Sequence, residues 1–157
     1  MHRTKAALMM ALLGAFLFVA VVMQDIRRHP EIAPGDFPWG LMIRYFIAMI
    51  LGGALSGFVF SGLFGRSSIF GWLLSFLSGV IAAAFSGLIG SAIGLLPDMI
   101  ADGLSTGELI QIGAGLLVLP FSIAEKPWLA IPVVALLLVT HVWCRSARQA
   151  QTQLQQN

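Results

Sequence analysis

From Ile69 to Leu96 the chain carries no charged side chain. At ~1.5 Å per residue a helix over this run reaches ~42 Å, more than the ~30 Å hydrocarbon core of a bilayer. A segment of that length and polarity spans a membrane, and it must tilt, kink or protrude to fit. Ala6 to Met23 and Tyr45 to Phe64 are also free of charge and long enough to span. Trp128 to Cys144 is a further charge-free run. Leu109 to Ala124 is shorter and is interrupted by Gln111 and Pro120.

In hydrocarbon every backbone amide must be bonded within its own segment or a closed barrel. The runs show no alternating pattern of the kind a barrel needs. The sequence therefore predicts an all-α, polytopic helical membrane bundle. Composition agrees: apolar residues make up 58% of the chain and charged residues 10%. A soluble domain averages ~25% charged residues, and a small one buries only ~70% of the surface its chain exposes.

We read residues 1–157 as one integral membrane domain, with helices at about 6–23, 41–64, 69–96, 109–124 and 128–144 and a polar tail at 145–157. Trp39, Trp72, Trp128 and Trp143 fall at run ends, where amphipathic rings meet headgroups. The start, Met1-His2-Arg3-Thr4-Lys5 before an apolar run, resembles a signal peptide. With no small-x-small site before Gln24-Asp25, it reads as a retained signal anchor. The longest loop, Gln24 to Gly40, contains Pro30, Pro34 and Pro38 and favours an extended path. Gly65 to Ser68 is a tight turn, and Pro97 to Gly107 joins the third and fourth runs.

The number of crossings has two readings. Arg3, Lys5 and Arg66 place the N-terminus inside, and the acidic loop with Asp98, Asp102 and Glu108 then falls outside. Arg27 and Arg28 fall outside, against the rule. If 109–124 crosses, Arg145 and Arg148 fall outside too; if it dips in and returns, they lie inside. Charge favours four spans plus one re-entrant segment. Apolar length favours five crossings, and we expect five.

Small residues at helical spacing are the strongest pattern. Gly53, Gly57, Ser61 and Gly65 form an i+4 stripe in the second helix. Ser75, Gly79, Ala83, Gly87 and Ser91 form another in the third, and Ser78, Ala82, Ser86, Gly90 and Gly94 a second beside it. Such stripes let helix backbones approach closely. They predict an antiparallel hairpin of the second and third helices. Because the third helix has two small faces, one is expected to remain free for a partner. Gly53, Gly57, Ser61, Gly79, Gly87, Ser86 and Gly90 are the candidate packing or interface residues.

Polar candidates are few. Arg44, at the start of the second helix, is explained by snorkelling to the headgroups or by holding an anion, and no acidic residue lies within an apolar run to pair with it. His141 and Cys144, at i and i+3, offer two metal ligands where a site needs more. Asp98 reads as a helix cap, with Asp102 and Glu108 in a solvated loop. The one cysteine excludes an internal disulfide, and no Lys/Arg face suggests nucleic acid. No nucleophile–base set, phosphate loop or metal-spaced cluster is present, so neither catalysis nor a cofactor is expected. Without mid-span ionisable groups, coupled transport is disfavoured.

These features predict a non-catalytic membrane protein of the bacterial cytoplasmic (inner) membrane. Its partners are the lipid bilayer and another membrane protein or a second copy of itself. It would act by lateral helix packing as an accessory subunit, assembly factor or anchor. The alternative is a small channel, pore-former or transporter acting as an oligomer.

Overall fold

The structure is a computed structural model that describes residues 2–28, 37–66 and 68–156. Every element in it is helical: α1 (His2–Arg28), α2 (Trp39–Phe60, prolonged by a 3-10 turn at Ser61–Leu63), α3 (Ile69–Asp102), α4 (Thr106–Ala114), α5 (Val118–Glu125) and α6 (Ala130–Gln156). A 3-10 turn at Gly115–Leu117 joins α4 to α5, and another at Pro127–Leu129 leads into α6. Among the described residues five helical segments are long and apolar enough to cross a membrane, α4 and α5 together making one of them. The protein is a multi-pass helical membrane bundle.

Local chemistry sets the helix ends. Ser68 caps α3, its hydroxyl accepting from the Gly71 amide at 2.9 Å. Gly103, at φ +84°, takes a positive-φ conformation that favours glycine and closes α3. Ser105 and Glu108 form a reciprocal capping box that starts α4. Arg148 Nη2 donates to the carbonyls of Ser61 (3.3 Å) and Gly62 (2.9 Å), which places a cation on the C-terminal end of α2. Several hydroxyls inside the spans bond back to their own helix, as Ser56 does to Gly52 (2.9 Å) and Thr140 to Leu136 (2.7 Å), whereas those of Ser75 and Ser86 do not.

The helix directions follow from paired contacts. Gly14 lies against Met49, Gly53 against Met10 and Gly57 against Ala6, so α1 and α2 are antiparallel. Gly90 meets Met49, Gly94 meets Tyr45 and Gly52 meets Ser86, so α2 and α3 are antiparallel too. Leu137 packs on Gly79, His141 on Trp72, and the Cys144–Arg145 backbone on Gly65. α6 therefore runs antiparallel to α3 and passes its start at Cys144–Arg145. The starts of α1 and α3 and the ends of α2 and α6 share one end of the bundle.

These contacts trace the path of the fourth of the five apolar segments. α4 starts at the end of α3, and Gly115 then meets Gly87 near the middle of α3. Glu125 forms an ion pair with Arg28, the last residue of α1, at the end from which α4 started. Lys126 and Trp128 border Val19, Met23 and Arg27 of α1, so α6 also starts from that side. Residues 106–125 therefore reach the middle of α3 at Gly115 and come back toward the end of α1 at Glu125, the path of the re-entrant alternative. Pro120 explains the break. It has no N–H to give the Leu116 carbonyl, and its ring clashes with that carbonyl in a continuous helix. With α5 beginning at Val118, Pro120 sits in its first turn, where no intrahelical donor is needed.

This topology separates charge. Arg3, Lys5, Arg66, Arg145 and Arg148 gather at one end, together with none of the described acids. Asp25, Asp98, Asp102, Glu108 and Glu125 all lie at the other, with Arg27, Arg28, Arg44 and Lys126. We call these the basic and acidic ends.

Other boundaries also shift. α1 continues to Arg28 and α2 starts at Trp39, so both ends of the loop expected from Gln24 to Gly40 are helical; His29, Pro30, Pro34 and Ser67 lie outside the described residues. α3 does not stop at Pro97 but runs on to Asp102, one of the interior prolines that packed membrane helices tolerate. The polar tail, beyond Arg145, continues α6 as helix.

Candidate functional site

The small-residue stripes are consumed inside the chain. Gly53 and Gly57 face α1, not α3, because a β-carbon at Gly57 would meet the Ala6 carbonyl at 2.6 Å and Met10 at 2.7 Å. Ser61 is buried below them. The α2–α3 seam instead uses Gly52, Ser86 and Gly90, where a β-carbon on Gly52 would lie 2.7 Å from the Gly90 amide nitrogen. The third helix has no free small face. Gly79 receives Leu137 at 2.6 Å from its would-be β-carbon, and Gly87 receives Gly115. Removing side chains where helices cross brings backbones into dispersion contact, and here α1, α2, α6 and the re-entrant segment take every notch.

Arg44 has the acidic partner that the sequence did not suggest. Its Nη1 and Nη2 donate to the two carboxylate oxygens of Asp98 at 3.2 and 2.6 Å. The fork-to-carboxylate geometry ties the start of α2 to the last turn of α3. Asp98 is thus a helical ion-pair residue and not a cap, while the capping role falls to Ser105. The pair is not buried, with side-chain exposures of 27% and 48%. Folding the chain back at Gly65 puts Arg44 and Asp98 at the same height. That register was the available signal, and the proline at 97 obscured it by marking a false helix end.

His141 and Cys144 do not form a ligand pair. His141 is 2% exposed and stacks on Trp72 with ring centroids 4.0 Å apart, and neither ring nitrogen has a hydrogen-bond partner. The buried Cys144 thiol points to the His2 carbonyl at 3.7 Å. Among the described residues no three His, Cys, Asp or Glu side chains converge on a metal-sized space.

The re-entrant segment creates two openings. On the acidic side, α1 and the α4–α5 segment enclose a cavity of about 480 Å³. Its walls are Val21, Val22, Ala114, Val118 and Phe121; Gln24, Asp25, Arg28, Ser122 and Glu125 supply the polar groups. The Arg28–Glu125 pair links the two walls. The second opening is an apolar groove of about 520 Å³. Phe76, Val80 and Ala84 of α3 and Val133, Val134 and Leu137 of α6 form its sides; Leu116, Leu119, Pro120 and Ile123 cover it. Its α3 residues all precede Gly87, so the groove extends toward the basic end from the depth where the re-entrant segment turns. Sequence reasoning missed both openings, since each exists only because 106–125 turns back.

No family model, curated protein or solved structure matches this chain.

Proposed function

We propose that the protein is a non-catalytic accessory subunit, assembly factor or anchor in the bacterial cytoplasmic membrane, with its basic end in the cytoplasm. The groove under the re-entrant segment supports this reading. A complete fifth span would fill the space between α3 and α6, whereas the half-span leaves its basic-end half open to the lipid. Ala84 and Ala130, small residues on its walls, admit the backbone of one apolar helix. The gathering of Arg3, Lys5, Arg66, Arg145 and Arg148 at one end supports the orientation. Because the glycine notches are filled internally, the partner surface is this groove and not the third-helix stripe.

A photo-crosslinking residue at Val134, in the groove, should give one discrete adduct in native membranes. The same residue at Ile131, which is 73% exposed, should give none. Ala84→Phe should remove the adduct while the chain remains folded. A smear of lipid adducts at both positions, unaffected by Ala84→Phe, overturns the reading.

The acidic-side cavity favours a second reading, a small channel or transporter acting as an oligomer. A polar mouth over a space reaching Ala114 at mid-depth is what a half-channel needs. Ion flux into proteoliposomes that rises with oligomer formation would select this reading over the first.

A further inference from the structure

We propose that the seam of α1 and α6 at the basic end holds one anionic phospholipid. An apolar groove of about 630 Å³ runs along this seam, lined by Met9, Leu138, Val139, Val142 and Trp143 with Ser146 at its end. It lies on a different face of α6 from the groove that Val133 and Leu137 line. Lys5 neighbours it through Trp143, its Nζ 5.1 Å from the centre of that ring. The indole face holds the ammonium beside Trp143, which lines the groove. Trp143 and Lys5 both belong at headgroup depth, by ring amphipathicity and by snorkelling.

Charge identifies the occupant. Arg3, Arg66, Arg145 and Arg148 share this end with Lys5, and all the described carboxylates lie at the other end. A site with an apolar trough and a fixed cation at its mouth matches a lipid with acyl chains and a net negative headgroup. A zwitterionic lipid offers the same chains but places its own cation against Lys5. A partner helix would fill the trough without a use for the ammonium.

The test uses the full chain purified in mild detergent, with bound lipid counted by native mass spectrometry. Phosphatidylglycerol and phosphatidylcholine of identical chains are added in turn, and inorganic phosphate separately. One phosphatidylglycerol should be retained about fivefold more tightly than phosphatidylcholine, the effect of one basic residue at an anionic surface. Lys5→Gln should abolish the preference and keep weak retention of both lipids. Val142→Trp, which fills the trough at a residue 53% exposed, should lose both lipids. Leu138→Trp serves the same end should Val142→Trp fail to fold. Equal retention of the two lipids by the unaltered chain overturns the proposal. So does a preference that survives Lys5→Gln, or inorganic phosphate displacing phosphatidylglycerol completely, which marks a site for phosphate alone. A copurifying protein that blocks lipid retention until it is removed assigns the trough to a helix and also overturns it.

Discussion

Gly115 and Gly87 meet backbone to backbone in the middle of the bundle, and each leaves no room for a side chain on the other. This contact stops the descent of α4 and seats the turn from which α5 climbs back. The obstructing atoms are main-chain atoms of a neighbouring element, which cannot rotate aside as a side chain can.

Gly87→Leu and Gly115→Leu should therefore each destabilise the protein by at least the ~1–3 kcal/mol of an overpacked core. Thermal unfolding in detergent should show a fall of several degrees for both. Gly113→Leu is the control, because nothing lies within 4 Å of a β-carbon there. Equal losses at all three positions would mean that the cost comes from a bulky side chain anywhere in this segment and not from this contact, since helix propensity favours Leu over Gly.

The re-entrant path has a direct topological consequence. In a Cys144→Ser background, Leu104→Cys and Lys126→Cys should react with an impermeant maleimide from the same side of sealed vesicles. Gly62→Cys should react only from the opposite side. Labelling of Leu104→Cys and Lys126→Cys from opposite sides would restore the fifth crossing.

The Arg44–Asp98 pair should show charge-reversal rescue. Arg44→Asp and Asp98→Arg should each lower the melting temperature in detergent, and the double variant should recover part of the loss. High salt should shrink the differences, since both side chains reach solvent. No recovery in the double variant would show that the two residues act independently.

His141 carries two buried ring nitrogens without hydrogen-bond partners, stacked on Trp72. An apolar ring of similar size keeps the stacking and removes the unsatisfied polar atoms. His141→Phe should therefore raise stability by ~1 kcal/mol or more, the cost of leaving a buried polar group unpaired. A loss of stability, read from the same thermal unfolding curves, would show that the imidazole has a use the stacking does not reveal.

Much of this molecule was written in its residue types. The charge-free runs at Ala6–Met23, Tyr45–Phe64 and Ile69–Leu96 demand helices in a bilayer because no other local structure satisfies their amides there. The glycine and serine stripes announced close helix contacts, and they are where the helices meet. The charges also carried a correct hint, since Arg145 and Arg148 fit the basic end only if 109–124 turns back.

What the residue types could not assign was direction and partnership. Hydrophobic length measures how far a segment can reach into a bilayer, not on which side it leaves, so length favoured a crossing for 109–124 while charge favoured a dip. The dip was decided by Pro120 breaking the helix, by Gly115 seating on Gly87 and by Glu125 finding Arg28. Likewise an i+4 stripe shows which residues share a face but not which helix covers it. Gly57 went to α1 and Gly87 to the re-entrant segment because four spans and a half-span must close around one another. Asp98 became the partner of Arg44 for the same reason: only the antiparallel register of α2 and α3 brings residues so far apart in sequence to one height.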